Sequence, residues 1–118
     1  METNIDYPAL IEKLNTRGGF TSHNGLVHTK MAPGYAEVEV KLVEEGKNPH
    51  GLAHGALLFA MCDEVTACAI YEEGMYMLTD SVKIDFIRPG KGGVLRAEGK
   101  CRKRGRQMSW GEGRVDDE

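Results

Sequence analysis

The 118-residue sequence has no run of 18 or more apolar residues, so it offers no segment of membrane-spanning length. Its opening residues, Met1-Glu2-Thr3-Asn4-Ile5-Asp6-Tyr7-Pro8, have neither a basic stretch nor an apolar one, and do not read as a secretory signal. Three cysteines, Cys62, Cys68 and Cys101, are odd in number and form no Cys-x-x-Cys. That excludes a disulfide framework and points to a reduced, cytoplasmic compartment. With four scattered histidines they make no zinc pattern. Internal repeats, low-complexity tracts and flexible linkers are also missing, so one domain spanning residues 1–118 is expected.

What is present is ordinary for a globular chain: 41% hydrophobic and 28% charged residues. A chain this short can build one packed core, and association with further copies would help it. The net charge of −3 hides an asymmetry: Lys83 to Arg106 holds nine Lys/Arg and two Asp/Glu, the remainder six and sixteen. The dense part, Lys100-Cys-Arg-Lys-Arg-Gly-Arg106, has no interleaved aromatics, and the overall balance is acidic, so nucleic acid is not indicated. A solvated turn or a phosphate-bearing small molecule both fit it.

Asp6 to Asn15 reads as a short amphipathic helix capped by Asp6, with Leu10, Ile11 and Leu14 on one face. Leu26–Lys30 and Tyr35–Val43 read as strands around a turn at Ala32-Pro33-Gly34. In the second, Ala36, Val38, Val40 and Leu42 alternate with charged residues, which gives one buried and one wet face. Leu52 to about Tyr71 is apolar nearly all round, the mark of a buried helix covered by a sheet. Ser81–Arg88, Val94–Arg102 and Gln107–Val115 read as three further strands. Strands grouped around one central helix argue for an α+β fold with a mainly antiparallel sheet.

The segment carrying chemistry runs from Asn48 to Glu64. Two His-Gly pairs lead into the buried helix, and a carboxylate, Asp63, follows about two turns later. A helix entrance offers unpartnered N–H groups and the positive end of a dipole. A carboxylate within an apolar helix is costly unless it has a partner or a task. Ignoring pattern, each has a plain reading: a solvated Asp, a capping His54, an ordinary turn at Asn48-Pro49 and His50. Glu64 is the competing carboxylate, and if buried it needs a partner of its own. Met61, Met75 and Met77 fit as core or pocket filling.

The pattern Asn48, Gly51, His54-Gly55-Ala56, Asp63, together with Ile84-Asp85-Phe86-Ile87-Arg88-Pro89-Gly90, resembles hotdog-fold thioesterases, and among them the phenylacetyl-CoA thioesterase group. The resemblance covers roughly residues 20 to 115, with Ala56 in place of a second glycine. It implies a hotdog fold, an antiparallel sheet wrapped around a long central helix. Family members carry one further strand after the segment matching Gln107–Val115; this sequence reaches Asp116-Asp117-Glu118 where that turn would begin, so the expectation is either a truncated chain or a shortened sheet with an exposed edge.

The resemblance also implies an activity: hydrolysis of a small, medium or aryl acyl-CoA thioester to free acid and coenzyme A, with no metal or cofactor. It assigns the Gly55 N–H to the carbonyl oxygen, Asp63 to base or nucleophile, Asn48 to positioning water or substrate, and Thr79 to assisting the carboxylate. His54 fits better as the residue that orients the loop. Arg88, Lys91, Arg104 and Arg106 are candidates for the coenzyme A phosphates. Eight residues of helix put Gly55 and Asp63 about 12 Å apart, too far to serve one carbonyl carbon. Two antiparallel helices from two chains bring them together, so a homodimer with composite sites is expected, and a homotetramer by family analogy. A non-catalytic acyl-CoA binder and an enoyl-CoA hydratase or dehydratase, which wants a His–carboxylate pair across the site, are the alternatives on the same fold.

Overall fold

The computed structural model describes residues 4–75 and 77–117. Two N-terminal helices, α1 (Tyr7–Thr16) and α2 (Phe20–His23), precede strands β1 (Leu26–Ala32) and β2 (Tyr35–Lys41). A single-turn 3-10 helix at Glu44–Gly46 leads towards the long helix α3 (Gly55–Ile70), and β3 (Val94–Arg104) and β4 (Ser109–Asp117) complete the chain. The strands form one antiparallel sheet in the order β1-β2-β3-β4, with α3 packed on one face. This is the α+β arrangement with a central helix that the sequence implies. Asp6 caps α1 by accepting from the Ala9 N–H at 3.1 Å. Gly18-Gly19, both at positive φ, lead into the four-residue helix α2, which has no periodic signal in the sequence to announce it.

The sheet's inner face follows from the period-two pattern. Ala36, Val38 and Val40 of β2 and Leu95 and Ala97 of β3 are buried against Leu57, Met61, Val65 and Ala69 of α3. Those four helical residues recur every fourth position and form the stripe that touches the sheet. Contact is closest where the sheet carries glycine. A Cβ on Gly99 would lie 2.5 Å from the Val65 carbonyl oxygen, and one on Gly111 or Gly113 would lie 2.7 or 2.9 Å from Thr66 side-chain atoms. The helix therefore rests on bare backbone of β3 and β4.

One polar cluster sits inside this packing. A register shift between His28 and Lys30 interrupts the β1–β2 ladder, and His28 lies buried on the inner face. Asn15 of α1 pins its backbone twice: His28 N–H donates to Oδ1 at 2.8 Å, and Asn15 Nδ2 donates to the His28 carbonyl at 2.9 Å. These bonds fix the carboxamide's orientation, so His28 Nδ1–H donates to the same Oδ1 at 3.0 Å. The other ring nitrogen, Nε2, lies 2.6 Å from Glu64 Oε2 on α3, and the Cys68 thiol donates to that oxygen at 3.5 Å. Glu64 thus has the separate partner that a carboxylate at its position requires. The chain Asn15–His28–Glu64 ties α1, β1 and α3 together.

The structure corrects one expected element. Ser81–Arg88 forms no strand among the described residues. β4 pairs with β3 along one edge, and an open groove of about 1200 Å³ separates its other edge from residues 77–90. Among the described residues the backbone of Ser81–Arg88 pairs with no strand, and alternation alone does not make a ladder. Its apolar side chains record the same situation: Val82 is 42% exposed and Phe86 57%. The boundaries of the other four strands agree with the sequence reading to within two residues.

Two measurements follow. Gly99→Ala forces α3 off the sheet and is expected to cost about 1–3 kcal/mol, or roughly 5–15 °C in Tm for a domain of this size. Gly93→Ala, whose Cβ would meet nothing within 4 Å, serves as the control; equal Tm values for the two contradict the packing described. The second concerns pH. The His28 hydrogen bond holds the Glu64 carboxyl below the usual carboxylate range, against burial, which acts in the other direction. A lowered folded pKa contributes stability that is present above the ordinary value and lost as pH falls through the lowered one. Below about pH 4.5 the wild type should lose Tm more steeply than Glu64→Gln, followed by circular dichroism; parallel acid limbs contradict this.

Candidate active site

The loop before α3 is wound around Asn48. Its Oδ1 accepts from the His50 and Leu52 N–H groups at 2.9 and 3.1 Å, and its own N–H donates to the Leu52 carbonyl at 2.7 Å. Gly51 takes φ +78° to close the turn, a conformation glycine adopts without strain. The side-chain oxygen of Asn48 is therefore committed to the loop, which leaves its amide nitrogen for an outside partner. His54 caps α3: its Nδ1 accepts from the Ala56 N–H at 3.0 Å, so the ring proton of the neutral imidazole is on Nε2. This engagement makes His54 an orienting residue of the loop. Gly55 is the first residue of α3, and its N–H has no acceptor within the helix.

The two sequence motifs meet here. Ala53 N–H donates to the Gly90 carbonyl at 2.8 Å. A Cβ on Gly55 would lie 3.4 Å from the Phe86 ring, and one on Gly90 would lie 3.2 Å from the Ala53 Cβ. The helix entrance is thus closed on one side by the segment Ile84–Gly90, and the absence of a side chain at Gly90 allows the approach.

Asp63 lies in the third turn of α3, half-buried, and its Oδ1 accepts from the Thr79 hydroxyl at 2.8 Å. Both line the groove between β4 and residues 77–90, whose apolar lining includes Leu58, Met75 and Met77. The structure therefore brings Asp63 and Thr79 together. It keeps Gly55 and Asp63 on one helix, eight residues apart, or about 12 Å along its axis.

The four basic candidates separate. Arg88 and Arg106 are exposed and line the groove. Lys91 has an exposed side chain, and its backbone N–H, with that of Gly92, donates to Asp117 Oδ2 at 2.8 and 3.0 Å, which holds the Pro89–Gly93 turn against the end of β4. Arg104 is spent on the fold: its Nη2 donates to the Ile70 carbonyl at 2.7 Å, and its guanidinium pairs with Glu72 at the C-terminal end of α3. The structure also brings together a group that sequence reasoning missed, His28, Glu64 and Cys68. Glu64 in an apolar helix was the available signal, but its partner depends on which face of β1 presents His28.

Comparison with known proteins bears on this geometry. The profile of the thioesterase superfamily matches residues 50–118. The acyl-coenzyme A thioesterase PaaI of Escherichia coli (strain K12) is 32% identical over 84 residues, which are 70% of this chain and 60% of the relative. The chain thus spans about 60% of that relative's length. Among solved structures, a mutant of the phenylacetic acid degradation protein PaaI from Thermus thermophilus superimposes with a TM-score of 0.77 at 28% identity, covering 84% of this chain and 86% of the other. A hypothetical thioesterase protein of Streptococcus pneumoniae, solved with coenzyme A, gives a TM-score of 0.71 at 28% identity and coverages of 77% and 74%. With the matched profile beginning two residues after Asn48 and running through α3, the Ile84–Gly90 segment and both final strands, the chain belongs to the thioesterase superfamily.

Proposed function

We propose that this protein hydrolyses the thioester of a small or medium acyl-CoA, aryl-acyl groups included, to the free acid and coenzyme A. The observation that carries the reading is the Asp63 carboxylate, held by Thr79 in an apolar-floored groove on the helix whose entrance presents Gly55. Water adds to the carbonyl carbon, the C–S bond breaks, and the proton removed from water ends on the thiolate. Asp63 either takes that proton as general base or attacks the carbonyl itself to give an anhydride that water then opens. Thr79 fixes the carboxylate's orientation through one oxygen and leaves the other for the reaction. The Gly55 N–H stabilises the developing oxyanion at the positive end of the α3 dipole. Asn48, through its free amide nitrogen, positions water or substrate.

The 12 Å separation on one helix requires the Gly55 and Asp63 of one reaction centre to come from two chains. A homodimer with two composite sites is therefore part of the proposal, and a homotetramer is the form the family resemblance suggests. Arg88, Lys91 and Arg106 are left with exposed side chains for the coenzyme A phosphates, and Arg104 serves the end of α3 instead. The acyl chain is assigned to the apolar part of the groove lining, which includes Leu58 and Met77. The reduced, cytoplasmic setting fits three cysteines without disulfides among the described residues.

Release of free thiol from phenylacetyl-, butyryl- and octanoyl-CoA tests the reading. The wild type is expected to turn over at least one, and Asp63→Ala to lose about 10²- to 10⁴-fold in kcat. Binding of all three with no thiol released favours a non-catalytic acyl-CoA binder. Loss of enoyl-CoA absorbance without thiol release favours a hydratase.

A further inference from the structure

The glycine contacts and the Leu57–Ala69 stripe keep α3 on the sheet, but a small rotation about its axis changes little of what so apolar a helix buries, because hydrophobic contact has no direction. Among the described residues, two side chains within α3 make polar bonds to other elements: Asp63 to Thr79, and Glu64 to His28. They are consecutive in sequence and so project about 100° apart around the helix. Asp63 faces the large groove, while Glu64 lies outside its lining, at a separate cleft formed with residues 17–21.

We propose that Glu64, tied to the buried His28, is a positioning residue that sets the rotation of α3 and so aims Asp63 at Thr79. This rests on the thioesterase reading of Asp63. The tie suits that task because nothing in it is free to swing. The His28 side chain is 1% exposed, and Asn15 locks both its backbone and its ring. Glu64 is further steadied by the Cys68 thiol one turn along the helix. A carboxylate oxygen sits about 5–6 Å from the helix axis, so a rotation of about 15° moves it by about 1.5 Å. A displacement of that size is enough to cost a reaction about 10²-fold. Asn15, in the same chain of bonds, acts one step further back.

His28, Glu64 and Cys68 also have the donor atoms of a soft-metal site, but their spacing opposes it. Nitrogen and oxygen ligands bonded to zinc at about 2.0 Å lie about 3.3 Å apart. Nε2 and Oε2 are 2.6 Å apart, the distance of a charge-assisted hydrogen bond. Nor is the pair the His–carboxylate dyad of a hydratase, because neither residue lines the groove.

The test compares Glu64→Ala with Glu64→Gln on the acyl-CoA that the wild type hydrolyses best. Glu64→Ala should lose about 10- to 100-fold in kcat with KM within about threefold of wild type. Glu64→Gln, whose amide can still bond His28 Nε2, should return kcat to within about threefold. A folded Glu64→Ala with unchanged kcat overturns the proposal. If Glu64→Ala does not fold, Asn15→Ala takes its place, with an expected fall of about threefold or more and an unchanged kcat again overturning it. A crystal structure of the loosened variant gives a readout independent of turnover: the Asp63–Thr79 hydrogen bond should be broken, and its retention at 2.8 Å contradicts the inference. Should Asp63→Ala keep full activity, the thioesterase reading of Asp63 fails on its own, and the crystal structure still decides the positioning claim. A rise in wild-type Tm with added Zn²⁺ that His28→Ala abolishes would make the cluster a metal site and overturn the proposal.

Discussion

α3 lies so close to β3 and β4 that Gly99, Gly111 and Gly113 have no room for a side chain. With no spacer between helix and sheet, the helix cannot lift or slide without losing the contacts of Met61, Val65 and Ala69, all fully buried. Packing at that density transmits displacement rather than absorbing it. The rest of the molecule is arranged around the fixed rod. Its entrance is held by the Ala53–Gly90 bond and the Phe86 ring, its far end by Arg104 on the Ile70 carbonyl, and its middle by the His28–Glu64 and Thr79–Asp63 bonds. The chemistry proposed for Gly55 and Asp63 depends on a helix that the sheet keeps from lifting or sliding.

Much of this was legible in the residues. The alternation of Ala36, Val38 and Val40 marked an inner face because a strand repeats every two residues, and no tertiary information is needed to read it. The continuous apolar stretch from Leu52 marked a covered helix for an equally local reason. The Asn48–Asp63 spacing and the Ile84–Gly90 motif pointed to one site, and the structure joins them through backbone and ring contacts at Gly55 and Gly90. Ser81–Arg88 shows the limit. A period-two pattern says which side chains share a face, but a strand also needs a neighbour, and the edge of β4 facing this segment is separated from it by the groove.

His28 marks a second limit. It shares the inner face of β1 with Leu26, two residues before it, but nothing in that strand says which residue of α3 will meet it. The sequence contained Glu64 as a carboxylate in want of a partner, and it contained His28 as one of four scattered histidines. Only the fold brings residues 36 positions apart into a single hydrogen bond. Arg104 illustrates the same point from the other side: a basic run reads as one patch, yet the structure commits this member to the end of α3 and leaves Arg88 and Arg106 at the groove.

In the proposed mechanism one reaction centre uses the Gly55 N–H of one chain and the Asp63 carboxylate of another. Mixing two inactive variants tests it most directly. Gly55→Pro removes the N–H at the first helical position, where proline is tolerated, and Asp63→Ala removes the carboxylate. A dimer containing one of each keeps one intact composite centre, so random exchange should restore about a quarter of wild-type thiol release. Mixed dimers that demonstrably form and release no thiol would contradict the account.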